Sequence, residues 1–164
     1  MRLFEAWRAA LIGTLVSAAA LAAAFATEWG LGIVPCALCL VERWPYRVGI
    51  ALGLLALVWA RGRRVVLAMM AVTMLAGAGA GAVHVGVEQG WWPSPLPECA
   101  APDLGHGTAA ERLARMPLFP AKPCDEPTYL VPSLPVSMAM ANLLLALALA
   151  AYLAISAAGR RKPA

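Results

Sequence analysis

Residues 65–87 read VVLAMMAVTMLAGAGAGAVHVGV and contain no formally charged side chain. An α-helix rises 1.5 Å per residue, so about 20 apolar residues cross the 30 Å hydrocarbon core of a bilayer. A charge-free run of this length predicts a transmembrane helix. Gly77 and Gly81 form a G-x-x-x-G pattern, which predicts close packing of this helix against another one.

Three further segments extend this pattern to the whole chain. Residues 9–27 and 134–158 are also free of charge, and the latter is expected only to pack. Residues 48–60 are too short, but they reach spanning length when extended back to Cys39, with Glu42, Arg43 and Arg47 near one end. The 164 residues are 62% hydrophobic, which leaves little chain for any other core. We therefore predict an all-α integral membrane protein, a single four-helix transmembrane bundle over residues 1–164 with spans at about 9–27, 39–60, 65–87 and 135–158.

The basic residues predict the orientation of these spans. Eight of the thirteen Lys and Arg fall on one side if the spans alternate in direction: Arg2, Arg8, Arg61, Arg63, Arg64, Arg160, Arg161 and Lys162. Because cytoplasmic loops carry an excess of Lys and Arg, both termini are expected in the cytoplasm. Segments 28–38 and 88–134 then face outward. The net charge of +4 follows from this topology, and we expect no nucleic-acid partner because no basic stripe with interleaved aromatic residues occurs.

The first 26 residues also resemble a signal peptide, with a basic start and Ala24-Phe25-Ala26 as an A-x-A-like end. Their apolar run, residues 9–26, exceeds the usual length of about 7–15 residues for such a segment. We therefore expect it to remain as the first span, which carries the small residues Gly13, Thr14 and Ser17 for close helix contact.

The long outward segment is rich in proline, and ten of the thirteen prolines lie within residues 91–135. Proline lacks a donor N–H and fixes φ, so little regular structure is expected there. The exception is Thr108-Ala-Ala-Glu111, a capping-box pattern that predicts a short helix. We expect this helix to lie on the membrane surface, with Leu113 and Met116 toward the lipid and with Arg112 and Arg115 reaching the headgroups.

All four cysteines, Cys36, Cys39, Cys99 and Cys124, fall on the predicted outer side. Disulfides persist outside the cytoplasm, so two pairs are expected, with three possible connectivities. A bond between Cys99 and Cys124 would close a loop of about 26 residues and stabilise by roughly 3–4 kcal/mol in the chain-entropy model. One alternative is therefore a non-catalytic membrane scaffold with structural disulfides.

Cys36 and Cys39 form a C-x-x-C pair, the spacing of many redox centres. Pro35 precedes the pair, and Cys39 is expected in the first turn of the second span, where unpaired N–H groups favour a thiolate. Arg43 follows Cys39 by four positions and should favour that thiolate further. A zinc site completed by Cys99, Cys124 or His84 is the competing chemical hypothesis, but no second close pair supports it.

The segment Cys36-Ala-Leu-Cys39-Leu-Val-Glu-Arg43-Trp-Pro-Tyr resembles the signature of the disulfide bond formation protein B (DsbB) family of bacterial inner membranes. Gln89-Gly-Trp-Trp-Pro-Ser-Pro before Cys99 and the Cys124-Asp pair strengthen the likeness, which covers nearly the whole chain. It implies a protein-dithiol:quinone oxidoreductase of the inner membrane, with segments 28–38 and 88–134 in the periplasm.

The resemblance also implies roles for individual residues. Cys99 would form the mixed disulfide with a periplasmic thioredoxin-fold partner similar to DsbA, and Cys124 would then attack Cys36. Cys39 would be released as a thiolate beside a membrane quinone, either ubiquinone or menaquinone, which Arg43 would hold and polarise. His84, which shares a helix face with Glu88, is a further candidate for the quinone pocket because a histidine can deliver protons near neutral pH.

Overall fold

The structure is a computed structural model, and it describes residues 2–99, 108–114, 122–129 and 134–159. Four long helices dominate it: α1 (Arg2–Gly30), α2 (Ala37–Val58), α3 (Arg63–Glu88) and α5 (Met138–Ala158). A 3-10 turn, Pro97–Cys99, and the short helix α4 (Ala109–Ala114) lie between α3 and α5. The described ranges contain no β-strand beyond one isolated bridge between Tyr129 and Ser137, which confirms the all-α prediction.

The third helix is the centre of the packing. It contacts α5 most extensively, then α2, while α1 packs mainly against α2. Its side chains Leu67, Met70 and Met74 are fully buried together with Leu153 of α5. Short connections join α1 to α2 and α2 to α3.

Small residues set the close approach of the helices, as the sequence predicts. Thr14 and Ser17 of α1 are buried, and each hydroxyl donates a 2.8 Å hydrogen bond to the carbonyl four residues earlier. A Cβ atom added at Gly77 would lie 2.9 Å from Cβ of Pro45 in α2, and one at Gly81 would lie 3.2 Å from Cα of Leu143 in α5. The two glycines of the G-x-x-x-G pattern therefore allow close contact with two different helices, α2 at Gly77 and α5 at Gly81.

The surface of the helices is apolar rather than polar. All four long helices expose large apolar side chains, among them Leu15, Leu54, Val58, Val72, Leu75, Leu144 and Ile155. Soluble monomers rarely expose contiguous apolar surface on this scale. Residues 4–30, α3 and α5 are each long and apolar enough to cross a membrane. These features indicate a multi-pass membrane protein.

The second helix differs from the other three. It has 22 residues, but Glu42, Arg43 and Arg47 give it three charges. Three of the four predicted spans thus coincide with membrane-compatible helices in the described part of the chain, and the span through α2 stays a prediction.

The start of α1, the start of α3 and the end of α5 lie together at one end of the molecule. A cavity of about 280 Å³ there is lined by residues that include Arg8, Arg64 and Tyr152. Nearby, buried Arg63 donates to the carbonyl oxygens of Ala56 (2.8 Å) and Leu57 (3.3 Å), which caps the C-terminus of α2 with a positive charge. The cysteines lie at the other end of the helices.

The capping box before α4 is confirmed. The backbone N–H of Thr108 donates to Oε2 of Glu111 (2.8 Å), and the N–H of Glu111 donates to Oγ1 of Thr108 (3.4 Å). The hydrogen bond from the Thr108 backbone lowers the pKa of Glu111. Leu113 is exposed, whereas Arg115, Met116 and the side chain of Arg112 lie outside the described residues, so the membrane-surface placement stays a prediction.

Candidate functional site

The C-x-x-C pair lies at the start of α2. Cys36 is the N-cap residue, with extended backbone (φ −78°, ψ 169°), and Cys39 lies in the first turn as predicted. The two sulfur atoms are 2.9 Å apart as free thiols, and the backbone N–H of Cys39 donates to Sγ of Cys36 over 3.2 Å. The start of the helix therefore holds both sulfurs in contact.

The helix start stabilises a different sulfur from the one that the sequence indicates. The side-chain hydrogen bond from Cys39 lowers the pKa of Cys36, and the backbone N–H of Cys39 adds to this effect, while burial opposes it. The expectation that the unpaired N–H groups favour a thiolate at Cys39 is thus corrected. The N–H of Cys39 is directed back to its neighbour, because only the N-cap side chain faces the free donors of the first turn.

A chain of buried and half-buried polar side chains leads away from Cys36. His84 of α3 places Nε2 3.5 Å from Sγ of Cys36 and Nδ1 2.8 Å from Oε1 of Glu42. The other carboxylate oxygen of Glu42 accepts from Nδ2 of Asn142 in α5 over 2.8 Å. Tyr46 in turn donates to Oδ1 of Asn142 over 2.6 Å. Both carboxylate oxygens of Glu42 are bonded, so α2, α3 and α5 are tied together beside the cysteines.

The second cysteine pair is a disulfide packed against the first pair. Cys99 and Cys124 are bonded, with their Cα atoms 5.0 Å apart. Their exposed fractions are only 4% and 1%, and they share one buried cluster with Cys36, Leu38 and Val87. The fold thus brings together two cysteine pairs that are separated by 60 residues or more in sequence.

An apolar cavity of about 220 Å³ opens beside Cys39. Its polar side chains include Cys39, Arg43, Glu42, Tyr46 and Asn142. The rest of its wall is mostly apolar and includes Leu21, Ala24, Ile33, Val34, Met138 and Leu145. Sites that enclose a whole drug-sized ligand measure about 300–1,000 Å³. This cavity is therefore smaller than a site that encloses a whole drug-sized ligand.

Arg43 is held at the edge of this cavity by α1. Its guanidinium forms a 2.7 Å ion pair with Oε2 of Glu28 and lies 5.0 Å above the ring of Phe25. Glu42 is not its partner, because the carboxylate of Glu42 faces His84 and Asn142. The ion pair fixes Arg43 at the cavity that Cys39 also lines, and it balances the charge of the guanidinium.

The predicted site residues lie on two sides of the adjacent sulfurs of Cys36 and Cys39. Cys36 and His84 lie together on the side of the disulfide, whereas Cys39 and Arg43 line the cavity. His84 is not among the residues that line the cavity, so its role toward a quinone stays a prediction. Asn142 was missed, since α5 was expected only to pack, and a lone amide in an otherwise apolar span is the signal that points to it.

Comparison with known proteins adds one result. The family model for the disulfide bond formation protein DsbB matches residues 6–156, nearly the whole chain. Neither the curated proteins nor the solved structures contain a match.

Proposed function

The chain belongs to the DsbB family of disulfide bond formation proteins, and from this membership we propose that it oxidises a dithiol partner outside the cytoplasm and passes two electrons to a membrane quinone. The proposed partner is a periplasmic thioredoxin-fold protein similar to DsbA. The proposed site residues are the four cysteines and Arg43, with His84 beside Cys36.

The proposal places the chain in the bacterial inner membrane with four spans. In this arrangement α2 is the fourth span, because its charged side chains are paired or lie near one end of the helix. Both termini are cytoplasmic, and the cysteines face the periplasm. The apolar surface of all four long helices supports this arrangement.

The proposed order of thiol exchange is the one that the family resemblance implies. A partner thiolate opens the Cys99–Cys124 bond by forming a mixed disulfide with Cys99, which frees Cys124. The second partner thiol then releases Cys99, and Cys124 attacks the oxidised Cys36–Cys39 bond at Cys36. Cys39 leaves as a thiolate at the cavity, and Cys36 is then bonded to Cys124. Cys99 attacks this bond at Cys124, which re-forms the Cys99–Cys124 disulfide and leaves Cys36 and Cys39 reduced, so two electrons have moved from the partner to Cys36 and Cys39. The shared burial of Cys36, Cys99 and Cys124 supports this order.

The direction of electron flow requires a strong terminal acceptor. DsbA has a reduction potential of about −120 mV, so an ordinary disulfide reoxidises it poorly. A bound quinone supplies an acceptor for two electrons and two protons. In this chain Arg43 would hold a carbonyl oxygen of the ring, the apolar wall would exclude water, and Cys39 would face the ring.

One observation carries the proposal: Cys39 joins a buried cluster of two cysteine pairs to an apolar cavity that contains a fixed arginine. A scaffold stapled by disulfides would need the Cys99–Cys124 bond, but it would need neither free thiols at Cys36 and Cys39 nor the cavity.

The test follows quinone absorbance with purified protein in lipid nanodiscs, a reduced thioredoxin-fold partner and a soluble quinone analogue. We expect cysteine-dependent quinone reduction, which Cys39→Ser abolishes while the protein stays folded. A partner variant that keeps only its attacking cysteine should open the Cys99–Cys124 bond of the unsubstituted protein and accumulate as an adduct at Cys99. Equal turnover by Cys39→Ser, or an adduct at Cys36 instead, would contradict the proposal.

A further inference from the structure

We propose that the reduced Cys36 and Cys39, together with His84, form a binding site for a thiophilic divalent cation such as Zn²⁺. This site goes beyond the proposed oxidoreductase activity and rests on geometry alone. Only its effect on turnover depends on the proposed function.

The three ligand atoms are already gathered. Sγ of Cys36, Sγ of Cys39 and a ring nitrogen of His84 all lie within 4.8 Å of one another. Tetrahedral zinc, with Zn–S near 2.3 Å and Zn–N near 2.0–2.1 Å, sets its sulfur and nitrogen ligands about 3.5 Å apart. The observed distance between Sγ of Cys36 and Nε2 of His84 is 3.5 Å. The two sulfurs, now 2.9 Å apart, need to separate to about 3.8 Å, a movement that a small rotation of the half-buried Cys39 side chain supplies.

The histidine is oriented as a metal ligand. Histidines that bind metals usually donate the other ring N–H to a carboxylate, which fixes the tautomer and the ring orientation. Here Nδ1 of His84 faces Oε1 of Glu42, and Asn142 holds the second oxygen of that carboxylate. In a neutral ring with its proton on Nδ1, Nε2 presents a lone pair toward Cys36. The sequence alone does not reveal the hydrogen bond between Asn142 and Glu42, because the two residues are 100 positions apart.

The charges around the pair favour a cation. Two thiolates in a nearly buried site would carry an uncompensated charge of −2, which a divalent cation neutralises. Arg43, which lines the same cavity as Cys39, is engaged by Glu28, and the carboxylate of Glu88 accepts from Ser137. The cavity beside Cys39 provides an access path, and three protein ligands leave one position of a tetrahedral ion for an exogenous ligand.

Binding is selective for one redox state. Two thiols lose their protons as the cation binds, and no electrons are transferred. A disulfide between Cys36 and Cys39 offers no thiolate, so only the reduced pair binds. Under the proposed function, the bound cation holds both sulfurs and stops the pair from closing, which stalls the reduced enzyme.

The test uses the full chain in lipid nanodiscs, reduced with a phosphine and titrated with Co²⁺ in the absence of partner and quinone. We expect one equivalent of Co²⁺ with visible d–d bands and sulfur-to-cobalt charge-transfer bands, both bleached by Zn²⁺. Glu42→Gln should weaken binding about 10- to 100-fold, the usual cost of losing such a carboxylate. Glu88→Gln is the matched control, because the carboxylate of Glu88 accepts a hydrogen bond from Ser137 and not from the His84 ring, and it should weaken binding much less than Glu42→Gln.

The double variant Cys99→Ser/Cys124→Ser tests whether the bands arise from Cys36 and Cys39. We expect the bands to persist in this variant. Loss of the bands in this variant, or their persistence in Cys39→Ser, would overturn the site. Equal affinities of Glu42→Gln and Glu88→Gln would overturn the role of the carboxylate. Because quinone and partner are absent, cobalt binding fails or succeeds independently of the oxidoreductase activity.

Discussion

Replacing Gly77 by alanine tests how closely α2 and α3 must approach. The added Cβ would lie 2.9 Å from Cβ and 3.0 Å from Cγ of Pro45, and a proline ring cannot rotate away. Either α2 shifts or the contact stays strained, and overpacking of this kind costs about 1–3 kcal/mol. A shift would also move Glu42, three residues before Pro45, relative to His84.

Gly79→Ala is the matched control, because a Cβ there would meet no heavy atom within 4 Å. Both substitutions change helix propensity equally, so the difference in unfolding free energy between the two variants isolates the packing cost. We expect Gly77→Ala to be less stable than Gly79→Ala by about 1–3 kcal/mol, or roughly 5- to 140-fold in the unfolding equilibrium constant. Denaturation with increasing mole fractions of SDS in mixed micelles measures it. Equal stability of the two variants would refute the close contact.

Two further predictions concern the polar groups at the site. The hydrogen bond from Cys39 favours the thiolate of Cys36, so Cys39→Ala should raise the pKa of Cys36 and shift its alkylation to higher pH, whereas Cys39→Ser, which keeps a donor, should shift it less. Alkylation rates followed by mass spectrometry, with a chelator present, check this order, and identical pH profiles would contradict it. Asn142→Leu leaves one oxygen of buried Glu42 without its donor, which should cost about 1–3 kcal/mol of stability. An SDS denaturation midpoint equal to that of the unsubstituted protein would contradict that bond.

The helices could be located from the sequence because a bilayer imposes a length on any charge-free segment. The run 65–87 became α3 (Arg63–Glu88), and the other three spans also fall on long helices. The ends of α2 (Ala37–Val58) differ by two residues from the predicted span 39–60. Side chains bond to the backbone at both ends, Cys36 at the N-terminus and Arg63 at the C-terminus. Hydropathy does not report such bonds.

The site was only partly predictable, because its partners are far apart in the chain. The C-x-x-C pair and Arg43 are close in sequence, and spacing on one helix is enough to group them. The contacts of Glu42 with His84 and Asn142 link three different helices, and the pair between Arg43 and Glu28 links two. Spacing along one helix says nothing about such contacts, which depend on how the helices rotate and pack.

The burial of the Cys99–Cys124 bond has a consequence for leakage. Small thiols would reduce an exposed disulfide directly, and its oxidising equivalents would then be lost to those thiols. Both cysteines are buried in one cluster with Cys36, Leu38 and Val87, so under the proposed function we expect small thiols to reduce this bond slowly until a docked partner exposes it. Under that proposal, selectivity between reductants would depend on access to the buried sulfurs as well as on reduction potential.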